Sequence, residues 1–160
     1  MRFEKCDASE PLPFGEAAFD AVFSNDVLCH VPGRAKQLGE LDGVLKPGGR
    51  LVQRCPDHCR SHFASGDRGA RFDRILPVQP PGENERLLRE AGFLRIEVKD
   101  TTANASLISQ RGRDGRAKRA KALRAIEGQE NFEGLQRFLS TVHALTSEAR
   151  LLRLLYLARK

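Results

Sequence analysis

Four groups of side chains have types and spacing that could do chemistry. The first is Asp7-Ala8, a carboxylate and a small residue closing a short extended segment. The second is Ser24-Asn25-Asp26, which ends the apolar run Phe19, Ala21, Val22 and Phe23, with Leu28 and His30 just beyond. Hydrogen-bonding residues at the carboxyl end of a buried strand suit ligand binding, because ligands of open α/β sheets sit at that end. The third is Cys55, His58, Cys59 and His62. Zinc accepts such ligands, and Cys55, Cys59 and His62 would share a helical face. The spacing is not a familiar zinc pattern and Pro56 interrupts it, so no metal is expected. The fourth is the basic stretch Arg111, Arg113, Arg116, Lys118, Arg119, Lys121 and Arg124, opposed only by Asp114. It could contact phosphates, but few aromatics are interleaved for base stacking. A solvated helix face explains it more simply. The other groups have plain readings too. Asp7 could cap a turn, Asn25 and Asp26 could be turn residues, and His30 before Val31-Pro32 could be structural.

The elements that must position these residues follow from hydrophobic period. Arg2 to Cys6 is expected to be a short strand, and Pro11, Pro13 and Gly15 force irregular backbone after it. The run 19–23 reads as a buried parallel strand. Pro32-Gly33 leads into a helix whose buried face is Ala35, Leu38, Leu41, Val44 and Leu45. Pro47-Gly48-Gly49 stops it, and Leu51-Val52 opens the next strand. This is a β-α-β unit, with the polar turn at the carboxyl end of its first strand. Residues 80–93 predict a helix with Leu87, Leu88 and Ala91 inward, and 94–100 a strand with one face covered. Residues 101–109 are ambiguous. Residues 116–127 and 130–146 predict helices, the second with Phe132, Leu135, Phe138, Leu139, Val142 and Leu145 on one face. The ending RLLRLLYLARK predicts a last strand.

The chain has 160 residues, enough for one domain with a core. Lysine and arginine number 27 against 21 acidic residues, for a net charge of +6, which permits but does not demand a polyanionic partner. No apolar run could span a bilayer and MRFEKCD lacks a signal-peptide core, so a cytoplasmic protein with reduced cysteines is expected, with no membrane partner.

Asp7-Ala8, Leu12-Pro13-Phe14, Phe19-Asp20-Ala21-Val22, Ser24-Asn25-Asp26 and Leu45-Lys46-Pro47-Gly48-Gly49 stand in an order and spacing that resembles the central motifs of class I S-adenosylmethionine-dependent methyltransferases. SNDVLCHVPGR, PPGENERLL, EGQENFEGLQRFL and RLLRLLYLARK extend the likeness toward the sarcosine/dimethylglycine N-methyltransferase-like branch. The resemblance covers most of 1–52 and 80–160. It implies an α/β, Rossmann-like sheet, mostly parallel with an antiparallel last strand, with helices on both faces and 116–146 capping the acceptor site. It implies S-adenosylmethionine as cofactor, held by Asp7 on the adenine amino group and by Ala8, Ser24, Asn25 and Leu28. It places His30 at the pocket of a small-molecule methyl acceptor, an amine in that branch. It assigns no catalytic residue.

Two departures matter. The family's first loop, E/D-x-G-x-G-x-G, and the acidic residue that holds the ribose have no counterpart here. The chain therefore reads as a single partial domain over 1–160, in which cofactor binding and turnover are expected to be impaired. An uncovered sheet edge is expected to favour self-association. Residues 53–79 match neither the family nor any helical or strand period. Allowed codons for Gln53–Ala70 and for Phe72–Gln79, read one base forward, can spell SDALIIAGHISQAEIAAR and SIGYYLFS, which look like the family and run into PPGENERLL; a shifted reading frame is the expectation. Three functions compete: a methyltransferase, a non-catalytic remnant or a subunit needing a separate amino-terminal half, and a basic nucleic-acid-binding module.

Overall fold

The structure is a computed structural model that describes residues 3–59 and 80–160, with the side chains of 57–59 also outside the description. The chain forms β1 (Phe19–Asn25), a 3-10 turn (Leu28–His30), α1 (Arg34–Val44), β2 (Leu45–Cys59), α2 (Glu83–Glu90) and β3 (Leu94–Asp100). It continues through α3 (Thr102–Lys118), α4 (Ala120–Glu127), α5 (Gln129–Ser147) and β4 (Leu151–Arg159). The sheet order is β1-β2-β4-β3. β1 and β2 are parallel, and β4 lies antiparallel between β2 and β3. The carboxyl ends of β1, β2 and β3 therefore share one side of the sheet. No helix among the described residues is long and apolar enough to cross a membrane.

The residues explain the elements. β1 and β4 are rich in Phe, Val, Leu and Tyr, which suit a pleated surface. Between α1 and the paired part of β2 the chain must reverse. Gly48 takes φ 76°, and a Cβ on Gly49 would lie 2.8 Å from the Lys46 carbonyl oxygen. The Gly48 N–H donates to the Lys160 carbonyl and the Lys160 N–H to that of Gly49, so this turn is tied to the end of β4.

The core lies on one face of the sheet. Leu51 and Cys55 of β2 and Tyr156 and Ala158 of β4 pack with Leu38 and Leu41 of α1, Leu87 and Leu88 of α2, and Phe93. Register pairs put Ser24 beside Gln53 and Gln53 beside Tyr156 in this same layer. The next residues, Asn25 beside Arg54 and Arg54 beside Leu155, belong to the opposite face.

Several expectations change. Residues 3–7 are irregular rather than strand, and Phe3 is 84% exposed. A strand needs a hydrogen-bonded neighbour, and none of the described strands pairs there. β1 is not buried on both faces: Phe23 is 68% exposed, because α1 and α2 cover only the other side. On α1, Ala35 is exposed, while Arg34 and Gln37 turn inward beside Leu38, Leu41 and Val44. Arg34 is accepted there because its guanidinium donates to Asn84 Oδ1 at 2.8 Å and to the Cys29 carbonyl at 3.2 Å. Residues 102–109 are helical, and the basic stretch is broken at Arg119 between α3 and α4. Leu135 lies partly exposed on α5, whereas Phe132, Val142 and Leu145 are buried. β2 continues through Gln53 to Cys59. Residues 60–79, including His62, lie outside the described residues.

Candidate functional site

The carboxyl end of β1 is where the sequence places its polar turn, and the structure fixes that turn firmly. Asp26 adopts φ 57°, an unusual conformation for a residue other than glycine. Its N–H donates to the Arg54 carbonyl at 2.9 Å, and its Oδ2 accepts from Arg153 at 2.6 Å. One residue therefore clamps the end of β1 to both β2 and β4. The 3-10 turn follows, closed by the His30 N–H on the Val27 carbonyl at 2.9 Å.

The predicted residues divide by layer. Ser24 is buried, and its hydroxyl oxygen has no hydrogen-bond partner among the described residues. Asp26 Oδ1 and Gln53 Oε1 are likewise buried and unpartnered there. Such atoms are few in native proteins and mark places where a ligand or water completes the structure. Asn25 is exposed on the opposite face. Leu28 is only 4% exposed and packs in the core, and His30 is exposed. Asp7 is exposed: its Oδ1 accepts from the Ser9 N–H at 2.9 Å and the Ser9 hydroxyl at 2.7 Å. Those bonds, the hydroxyl first, hold the carboxyl below the usual aspartate range, so it is ionised at neutral pH. Ala8 is half-buried beside it. Ser24, Asn25, Leu28 and His30 are thus gathered in one strand-and-turn unit, with Asp7-Ala8 on a separate turn.

Sequence reasoning missed the opposite wall. A cleft of ≈ 540 Å³ opens between the uncovered sheet face and α3. Phe23, Val52, Arg54 and Leu155 form its floor, and Asn104, Leu107, Ile108 and Arg111 its side. Arg54 was set aside with the anomalous segment, and the helix carrying Asn104 to Arg111 could not be separated from a strand by period. A second cleft of ≈ 550 Å³ lies where the start of α3 meets the end of α5. The Ser106 hydroxyl there lies 3.1 Å from His143 Nδ1, which is equally close to the Ser106 carbonyl. No carboxylate bonds the other ring nitrogen among the described residues, so the pair reads as a tie between helices rather than an activated nucleophile.

The other two sequence candidates fare differently. Cys55 is buried in β2, its sulfur accepting weakly from Gln53 and Asn84 at 3.6 and 3.7 Å. Among the described residues no group of three or more metal-ligating side chains occurs, and the remaining members of that cluster fall outside the description. In the basic stretch, Arg116 and Arg124 lie 5.2 and 4.6 Å from the Phe132 ring centroid. Arg116 also pairs with Glu127. Part of that stretch therefore holds α3, α4 and α5 together.

A four-stranded sheet with an antiparallel strand between two parallel neighbours, helices on its faces and a polar turn at the strand ends defines a Rossmann-like class I methyltransferase fold. Haemonchus contortus phosphoethanolamine N-methyltransferase 2, in complex with phosphomonomethylethanolamine and S-adenosylhomocysteine, superposes with a TM-score of 0.85 over 97% of this chain at 22% identity. The match covers 36% of that protein. Residues 1–53 match the family model described as "Methyltransferase domain". An O-methyltransferase, resE, of Aspergillus sclerotiorum is 35% identical over 97 residues, 58% of this chain and 36% of the relative. A sarcosine/dimethylglycine N-methyltransferase of Halorhodospira halochloris is 32% identical over 100 residues, 59% of this chain and 34% of the relative. The chain is therefore similar to methyltransferases, in sequence over part of its length, and it spans about a third of the length of these curated relatives.

Proposed function

We propose that the chain supplies the β1–β2 side of a methyltransferase site that moves a methyl group from S-adenosylmethionine to a small-molecule acceptor, an amine in the branch its sequence resembles. The observation that carries this reading is the clamped turn at the carboxyl end of β1, with unpartnered Ser24 Oγ and Asp26 Oδ1 on a methyltransferase-type sheet. The cofactor supplies an electrophilic methyl on sulfonium sulfur. Methyl transfer is an in-line displacement, so the protein's task is alignment and exclusion of water rather than proton transfer. The residues at hand fit that task. Asp7, ionised and exposed, can accept from an adenine amino group, with the Ala8 backbone beside it. Asn25 presents its amide on the cleft face, Ser24 and Leu28 shape the turn from beneath, and His30 flanks the acceptor.

The glycine-rich loop and ribose-holding acid of the resembled family are absent from these 160 residues, so we take binding of S-adenosylmethionine by this chain alone to be weaker than micromolar. The test is transfer of labelled methyl from S-adenosylmethionine to glycine, sarcosine, dimethylglycine and a phenol, with Asn25→Ala beside the unaltered chain. Slow transfer to the amines, lost in Asn25→Ala, supports the reading. Transfer to the phenol alone, or transfer indifferent to Asn25, contradicts it.

One observation favours a second reading, a subunit that needs a separate amino-terminal half. Phe23 on the sheet and Leu107 and Ile108 on α3 are exposed together along the cleft between them. On this reading a separately supplied amino-terminal half associates through that surface, and Phe23→Lys weakens the complex as read by sedimentation of the mixture.

A further inference from the structure

Among the described residues, the cleft between the open sheet face and α3 is lined by two cations and no acid. Arg54 lies on its floor and Arg111 on its wall. The Nε of Arg54 is buried and has no acceptor among the described residues. Of the nearby carboxylates, Asp26 accepts from Arg153 through Oδ2 while its Oδ1 has no partner among the described residues, and Asp100 accepts from the Thr102 N–H at 2.7 Å; neither lines the cleft. A guanidinium N–H removed from water without an acceptor is costly, and a carboxylate or phosphate presents the oxygen pair that fits its fork. Asn104, exposed at the same wall, adds an amide that can donate or accept. Around these polar groups the lining is apolar: Phe23, Val52, Leu107, Ile108 and Leu155. The volume, ≈ 540 Å³, is that of a small-molecule site.

We propose that this cleft binds a small molecule with an anionic oxygen group, carboxylate or phosphate monoester, on an apolar body. Arg54 and Arg111 hold the anion, and Phe23, Val52 and Leu155 hold the body. Asn25 and Arg54 are register partners, so the anion lies directly against the proposed methyl-transfer turn. That the ligand is the methyl acceptor rests on the proposed function; that the cleft binds it does not.

Calorimetry without S-adenosylmethionine separates the two claims. The probes are phenyl phosphate, benzoate, benzyl alcohol and inorganic phosphate, titrated into the full chain at low salt. Phenyl phosphate is expected to bind at least about tenfold more tightly than benzyl alcohol or inorganic phosphate, and benzoate more tightly than benzyl alcohol. Arg54→Gln and Arg111→Gln are each expected to weaken phenyl phosphate about tenfold. Arg111 is exposed, so its substitution reads binding even where Arg54→Gln unfolds the chain. Equal binding of benzyl alcohol, equal binding of inorganic phosphate, or indifference to Arg111→Gln overturns the proposal. Anion binding without methyl transfer leaves the cleft standing and removes only its role as acceptor site.

Discussion

Replacing Asn84 by alanine should cost the protein far more than a surface amide would. Asn84 is 2% exposed on α2, and its Oδ1 accepts from Arg34 at 2.8 Å. Arg34 is itself buried on α1, and its other terminal nitrogen donates to the Cys29 carbonyl in the 3-10 turn. The chain Asn84–Arg34–Cys29 thus ties two helices to the turn that carries Leu28 and His30. Removing a hydrogen bond to a buried charged group costs about 1.5–3 kcal/mol, and an orphaned buried charge about 3–5 kcal/mol. Because Arg34 keeps its bond to Cys29, Asn84→Ala should fall at about 2–3 kcal/mol. For a chain of this length that lowers Tm by roughly 5–10 °C. Urea unfolding of Asn84→Ala, Arg34→Met and the double variant measures the pair. A coupling of about 1.5 kcal/mol or more is expected, with the double variant little worse than the worse single one. A loss under about 0.5 kcal/mol for Asn84→Ala, or additive single effects, would refute the reasoning.

Three further outcomes follow from single residues. Gly49→Ala drives a Cβ to 2.8 Å from the Lys46 carbonyl and 3.1 Å from Leu45 Cδ2, and should cost about 1–3 kcal/mol in the same urea assay. Cys6 is exposed while Cys29 and Cys55 are buried, so iodoacetamide should label Cys6 before Cys29 and Cys55, which react only on unfolding, as read by mass spectrometry of their peptides. Burial, aided by the Asp26 carboxylate, raises the Cys29 thiol above its ordinary range. An acid so raised favours the fold while protonated, so stability should decline as pH climbs above about 8.5, the ordinary thiol value, toward the higher folded one. Codons for Gln53–Ala70 and Phe72–Gln79 should permit SDALIIAGHISQAEIAAR and SIGYYLFS one base forward; codons that cannot spell them end the frame-shift explanation of that segment.

Much of the positioning scaffold was legible in the sequence. The alternation of compact apolar runs with Pro-Gly and Pro-Gly-Gly turns gave β1, α1 and β2, because strand and helix periods differ and glycine marks the reversal. The terminal run of leucines, broken by Arg153, gave β4. What stayed hidden depends on contacts distant in sequence. Arg34 turns inward where Ala35 was expected, since its partner Asn84 lies 50 residues away. Arg153 meets Asp26 across 127 residues, and no local period announces that pairing. The open face of β1 was invisible because an apolar run reads alike whether one side or both are covered. At the site, the β1 turn was legible from its polar residues. The cleft wall on α3 was not, because Thr102–Gln110 mixes small, polar and apolar residues without a clear stripe.

The most direct test of the account is to map where S-adenosylmethionine touches the full chain by amide chemical shifts at millimolar cofactor. Weak, saturable shifts at Asp7-Ala8 and Ser24 to Leu28, reduced in Asp7→Ala and Asn25→Ala, are the predicted result. Shifts confined to other surfaces, or micromolar binding unaffected by either substitution, would contradict it.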